Sequence, residues 1–152
     1  MGASPDVAFA SATALGVYTV SSAAVPALAE RLRASGAEAV AICLLHSYAN
    51  PAHERRLKAM LAGAVPGLPV SLSSEISPEI REYERASTTV LNALLMPVVR
   101  GYLDRLRSRL GEGGFRPAVF LVQSNGGVCS LAVAAEQPAR LLLSGPSGGA
   151  LA

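Results

Sequence analysis

Two glycine-rich stretches carry residue types suited to holding anions: Ser144-Gly145-Pro146-Ser147-Gly148-Gly149 and Gln123-Ser124-Asn125-Gly126-Gly127. Glycine leaves the backbone N–H open to a ligand, and a helix that starts there adds the positive end of its dipole. "SGPSGG" is not a Walker A loop, because no Gly-Lys-Ser/Thr follows, and its glycines do not have the GxGxxG spacing. It reads as a loop at a helix start, in which Ser144, Gly145, Gly148 and Gly149 either lie near a nucleotide or form a packing turn. "QSNGG" puts Gln123, Ser124, Asn125, Gly126 and Gly127 at the C-terminal edge of a strand, where open α/β sheets bind ligands. Its plain alternative is an Asn-Gly-Gly turn.

The other candidates are isolated. His46 ends an apolar run and His53 opens a helical pattern seven residues on, and no acidic residue completes a metal pattern with them. His46 is a site candidate at a strand end; His53 reads as a surface helix residue. Glu75, Glu79, Glu82 and Glu84 interleave with Arg81 and Arg85, which reads as a solvated ion network with an ordinary Glu82–Arg85 pair. Arg81 and Arg85 share a helical face, and one of them is expected to meet an acid or a substrate group. Cys43 and Cys129 are far apart and without CxxC spacing, which argues against a zinc site or disulfide framework and fits a reducing, cytoplasmic setting. Cys43 is expected in the core and Cys129 nearer the surface. No catalytic residue and no metal site is assigned.

These residues need a scaffold, and the hydropathy pattern supplies one. "AVPALAERLRASG" is an amphipathic helix stopped by Gly36, "AVAICLLHSY" a strand covered on both faces, and Asn50-Pro51 the opening of a second helix. "LPVSLSS" is a second strand, so the alternation predicts a parallel α/β sheet. Ser77-Pro78 then predicts the start of a long helix with apolar positions from Val90 to Leu110, kinked or broken at Pro97 and ended by Gly111, Gly113 and Gly114. A strand over Pro117–Ser124, the Asn125-Gly126-Gly127 loop and a short helix "SLAVAAEQ" follow. Residues 7–20 read as an irregular or partly stranded lead-in. The domain reading is a lead-in (1–20), the end of an α/β lobe (21–76), a connector helix region (77–114) and the start of a second α/β lobe (115–152).

Bulk composition narrows the function classes. With 51% hydrophobic and 16% charged residues, the 152-residue chain is built for a packed core. A net charge of +2 with interspersed signs gives no nucleic-acid footprint; the arginines between Arg100 and Arg109 suit a helix C-terminus. No apolar run reaches the roughly 18 residues of a membrane span.

Several motifs in order resemble the hydantoinase A / oxoprolinase family: "AICLLHSYANPAHERR", "SLSSEISPEIREYERASTTVLNALLMPVV", "LVQSNGGVCS" and "PARLLLSGPSGGALA". The resemblance covers about residues 25 to 152, and residues 1 to about 20 fall outside it. Leu94, Ser147 and Leu141 depart from the family pattern, which has Tyr, Ala and Thr there. The resemblance implies a partial actin-like ATPase fold: two incomplete parallel or mixed α/β units joined by a long kinked helix. It also implies ATP and Mg2+ as cofactors, a small cyclic amide such as 5-oxoproline or a hydantoin as substrate, and a B-type subunit or the remainder of its own chain as partner. The family's Asp-x-Gly-Gly-Thr phosphate hairpins do not occur in this sequence. The chain is therefore expected to be a central fragment, inactive alone and with no cofactor bound to it. The alternatives are a fragment of a related ATP-dependent carboxylase subunit and a non-catalytic α/β binding module. No nucleic acid or membrane partner is expected.

Overall fold

The computed structural model describes residues 7–12, 22–115 and 117–151. The chain divides into two compact units, Met1–Leu94 and Leu95–Ala152.

In the first unit, β1 (Val7–Ala12) pairs with β2 (Ala39–Leu44) and β2 with β3 (Val70–Leu72), all parallel, so β2 is the central strand. Alternation along the strands sorts side chains to two faces. Val40, Ile42, Val70 and Leu72 meet Val25 and Leu32 of α1 (Val25–Ser35) and Leu61 of α2 (Ala52–Ala64). Each such side chain contributes about 1.5–3 kcal/mol on burial. Ala39 and Ala41 face the other way and pack on Ala93 of α4 (Glu82–Glu112). Small residues on that face let the helix backbone come close. α1 ends at Gly36, whose φ of +68° closes the helix as the sequence predicts. Asn50 Oδ1 accepts from Ala52 N–H at 3.1 Å and helps start α2. The stranded part of the predicted lead-in is β1; residues 1–6 and 13–21 lie outside the described residues.

Several expectations change here. The second strand stops at Leu72, and Ser73–Ile76 forms a short helix, α3. Ser77-Pro78 does not start α4, which begins at Glu82. Residues 77–81 are held off the helical path: Glu79 N–H bonds Ser77 O at 2.7 Å, and Arg85 Nη1 donates to Glu79 O at 3.2 Å. Pro97 does not break α4, and Gly111 lies inside it; Gly113 and Gly114 follow its end.

The second unit contains the C-terminal part of α4, an antiparallel hairpin of β4 (Phe120–Val122) and β5 (Val128–Ser130), α5 (Leu131–Glu136), a 3-10 turn at Pro138–Leu141 and α6 (Ser144–Leu151). Leu121 and Cys129 turn inward toward Leu103 and Ala134, while Phe120, Val122 and Val128 are exposed. Ser130 Oγ caps α5 by accepting from Val133 N–H. The single strand expected over Pro117–Ser124 is thus the first arm of a hairpin. Cys129 is buried and Cys43 only half-buried, the reverse of expectation, because hairpin alternation points Cys129 at the helix.

Candidate functional site

The first unit gathers polar side chains at the C-terminal ends of β2 and β3. Glu54, in the first turn of α2, is fully buried. Its Oε1 accepts from Leu44 N–H at 2.9 Å and Ser73 Oγ at 2.7 Å. Its Oε2 accepts from Ser74 N–H at 2.9 Å and Ser74 Oγ at 2.7 Å. Ser47 and Ser73 hydroxyls meet at 2.9 Å. Four donors on one carboxylate satisfy the need of a buried anion for partners.

Arg85 is the counterpart cation, 1% exposed. Its Nη2 donates to Leu44 O at 3.0 Å, and its guanidinium lies 5.5 Å from the Tyr48 ring centroid. Arg85 Nε is buried without a hydrogen-bond partner among the described residues. Leu44 is therefore gripped at its N–H by Glu54 and at its C=O by Arg85. Two residues on, His46 has φ +56° and is exposed, its ring 6.0 Å from that of Tyr48. Ala49 and Asn50 N–H groups close the turn on His46 O at 3.0 and 3.1 Å. On the α4 face, Asn92 Nδ2 donates to Ser71 Oγ at 3.0 Å, and Thr89 Oγ1 to Arg85 O at 2.6 Å.

The expected Arg81/Arg85 face resolves unequally. Arg81 stays exposed and pairs with Glu84 at 3.6 Å, and the Glu82–Arg85 pair does not form. Glu75 leaves the expected surface network to bond Lys58 at 3.0 Å. His53 is an exposed residue of α2.

The second unit brings the two glycine stretches together. Gln123 N–H donates to Gly127 O at 2.7 Å and Gly126 N–H to Gln123 O at 3.0 Å, closing the β4–β5 turn. Gly126 has φ +82°, a conformation glycine adopts freely. Asn125 Oδ1 accepts from Gly127 N–H at 3.0 Å. Ser124 is the junction: its N–H and Oγ both donate to Arg140 O, its Oγ accepts from Leu143 N–H at 3.1 Å, and its carbonyl accepts from Ser147 Oγ at 2.7 Å. Ser144, Gly145, Gly148 and Gly149 are not in a loop but within α6, which starts two residues before Pro146. That start fits Pro146, since a proline in the first turn lacks an N–H that has no partner there in any case. A groove of about 230 Å³ between α4 and α5 is lined by Arg100, Asp104 and Arg107 over Leu103 and Ala135, and contains none of the candidate residues. Its arginines are matched, Arg100 with Glu136 and Arg107 with Asp104.

Sequence reasoning missed Glu54, Ser47, Ser73 and Ser74. Glu54 looks like an ordinary acid in a helix first turn, and nothing in spacing links it to serines about twenty positions away.

Residues 11–65 match the model of the hydantoinase/oxoprolinase N-terminal region, and residues 85–152 match the hydantoinase/oxoprolinase model. The chain belongs to the hydantoinase/oxoprolinase family. The family match begins at residue 11, further toward the N-terminus than the quoted motifs imply. Among hydantoinase/oxoprolinase relatives, caprolactamase subunit alpha of Pseudomonas jessenii is 39% identical over 125 residues, 82% of this chain and 18% of that one. 5-Oxoprolinase of Saccharomyces cerevisiae is 38% identical over 120 residues, 79% of this chain and 9% of that one. The chain thus spans less than a fifth of the length of these relatives. The crystal structure of the ATP-dependent caprolactamase superposes with a TM-score of 0.75, over 82% of this chain and 18% of that one. Nucleotide-free acetone carboxylase superposes with a TM-score of 0.67 at 31% identity, over 84% of this chain and 18% of that one.

Proposed function

We propose that this chain is a central part of an ATP-dependent hydrolase that opens a cyclic amide of the lactam, hydantoin or 5-oxoproline type. The likeness to caprolactamase carries the reading, at 39% identity and a TM-score of 0.75, and the 38% identity to 5-oxoprolinase supports it. The two units are read as parts of the two lobes of an actin-like ATPase, with residues 77–114 as the connector. A parallel sheet covered on both faces, followed by a long helix and a second sheet, supports that reading. The complete enzyme is assigned a second, B-type subunit, in line with the subunit designation of caprolactamase alpha. A cytoplasmic setting fits the two free cysteines, and no described helix is long and apolar enough to cross a membrane.

The residues fit a nucleotide phosphate at α6. Glycine inside a helix costs about 1 kcal/mol relative to alanine. At Gly145 and Gly149, apart from chain neighbours and the helix's own backbone, no described atom lies within 4 Å of where a Cβ would stand. Packing among the described residues therefore does not demand these glycines, and the open space there supports a ligand that approaches the backbone closely. Ser144 and Gly145, in the first turn of α6 where backbone N–H groups lack helical partners, would hold the phosphates, and Gly148 and Gly149 would lie near them without Cβ atoms in the way, with Ser124 fixing the hairpin turn against α6. ATP, when bound, supplies the phosphoryl group that activates the ring amide toward water. Within the second unit, Gln123 and Asn125 are the polar groups proposed as substrate contacts; His46 is the candidate of the first unit, taken by itself. Buried Arg85 acts by holding backbone. No described group of three or more His, Cys, Asp or Glu side chains is placed to hold a metal, so Mg2+ is assigned to no residue of this chain.

A carboxylase role is the second reading, favoured by the acetone carboxylase superposition. The test is ADP release by the complete enzyme with its second subunit, offered caprolactam, 5-oxoproline and hydantoin, and separately a small ketone with bicarbonate. Release driven by a cyclic amide supports the proposal. Release only with ketone and bicarbonate selects the carboxylase reading, and release with neither leaves a non-catalytic module.

A further inference from the structure

The turn after β2 combines features that packing alone does not require. His46 holds a left-handed conformation, φ +56°, that is uncommon outside glycine. It does so at the C-terminal end of the central strand, the edge where ligands sit in open parallel sheets. The residue that launches the turn, Leu44, is held at both ends of its backbone by fully buried ionic side chains, Glu54 at the N–H and Arg85 at the C=O. Neither forms a salt bridge among the described residues. Their opposite charges are instead linked through the backbone of one residue, by its N–H on one side and its C=O on the other. Burying two ions without direct pairing is costly, and a neutral pair of side chains would end a strand as well.

We infer that Glu54 and Arg85 are a pair of positioning residues that lock the 45–50 turn, so that His46 is presented in a fixed, strained conformation as a hydrogen-bonding group toward the substrate. The assignment of substrate rests on the proposed cyclic-amide hydrolase reading; the lock itself does not. Arg85 is suited to the task because its planar fork reaches two carbonyls at once, Leu44 O and Glu79 O. It thereby ties the end of β2 to residue 79, in the segment before α4. Tyr48 closes on the guanidinium from within the same turn.

Amide hydrogen exchange on the purified chain reads the lock directly, because Ala49 and Asn50 N–H groups bond to His46 O. Glu54→Gln removes the charge at almost constant shape, and Arg85→Lys keeps the charge but loses the fork. In folded variants, both are expected to speed exchange at Ala49 and Asn50 at least tenfold, with the α2 amides from Leu57 to Leu61 little changed. Asn92→Ala, on the other face of the sheet, is expected to leave Ala49 and Asn50 at the wild-type rate. Unchanged exchange at Ala49 and Asn50 in folded Glu54→Gln and Arg85→Lys overturns the lock. His46→Gly covers the case in which those variants fail to fold. Glycine takes φ +56° without strain, so this variant should keep the protection and raise the thermal midpoint; loss of both contradicts the inference. In the complete enzyme, His46→Gly should lower kcat/KM for the cyclic amide at least tenfold, and Arg85→Lys should lower kcat while changing KM less than threefold. Full activity of His46→Gly rejects the substrate-facing role. If the complete enzyme opens no cyclic amide at all, the functional reading fails, and the exchange data still decide the lock.

Discussion

Glu54→Ala is the substitution expected to damage the first unit most. The carboxylate is fully buried and accepts four hydrogen bonds, two from backbone N–H groups and two from serine hydroxyls. The hydroxyls can rotate toward other acceptors; Ser73 already touches Ser47 at 2.9 Å. The amides of Leu44 and Ser74 cannot. A buried donor left without a partner costs about 1–3 kcal/mol. Two of them, together with the now uncompensated Arg85 charge, give about 3–5 kcal/mol, a large share of the roughly 5–15 kcal/mol that stabilises a domain. Water entering the space left by the side chain moves the value toward the lower end. The assay is exchange of the Val40, Ala41 and Ile42 amides in the central strand, which reports this unit separately from the second. A loss of 3 kcal/mol corresponds to more than a hundredfold faster exchange where global opening dominates. A change below about fivefold, near 1 kcal/mol, would refute the view that the carboxylate organises this edge of the sheet.

Arg81→Ala is expected to change stability by less than about 0.5 kcal/mol, since its pair with Glu84 is exposed, whereas Arg85→Ala should cost about 3 kcal/mol or more; urea midpoints distinguish the two. Gly145→Ala and Gly149→Ala should each stabilise α6 by about 0.5–1 kcal/mol in thermal unfolding while lowering ATP turnover in the complete enzyme; unchanged turnover would make those glycines structurally incidental. Asn125→Ala removes the bond to Gly127 N–H and should reduce turnover in the complete enzyme by a larger factor than its effect on unfolding explains; proportional losses would reduce "QSNGG" to a turn.

The elements were legible where hydrophobic period and end signals agreed. α1 was bounded by its apolar face and Gly36, and β2 by an unbroken apolar run, because a central strand faces helices on both sides. Boundaries failed where a tertiary contact overrode a local signal. Ser77-Pro78 is a sound helix start in isolation, but Arg85 holds Glu79 O and delays α4 to Glu82. β5 is three residues long and shows no period. The glycine stretches were found by residue type, and their mutual contact through Ser124 is a product of the hairpin and the Pro138–Leu141 turn. The Glu54 cluster was invisible for a similar reason. Its members come from α2, the end of β2 and α3, and only the parallel pairing of β2 with β3 makes them neighbours.

The proposed function requires ATP use to be coupled to the opening of a cyclic amide. It is tested most directly by following ADP and the ring-opened amino acid together, in the complete enzyme with its second subunit, on addition of caprolactam or 5-oxoproline. Neither product should form appreciably without the other, and both should rise in a fixed ratio. ADP release indifferent to every cyclic amide, or ring opening without ATP, would contradict it.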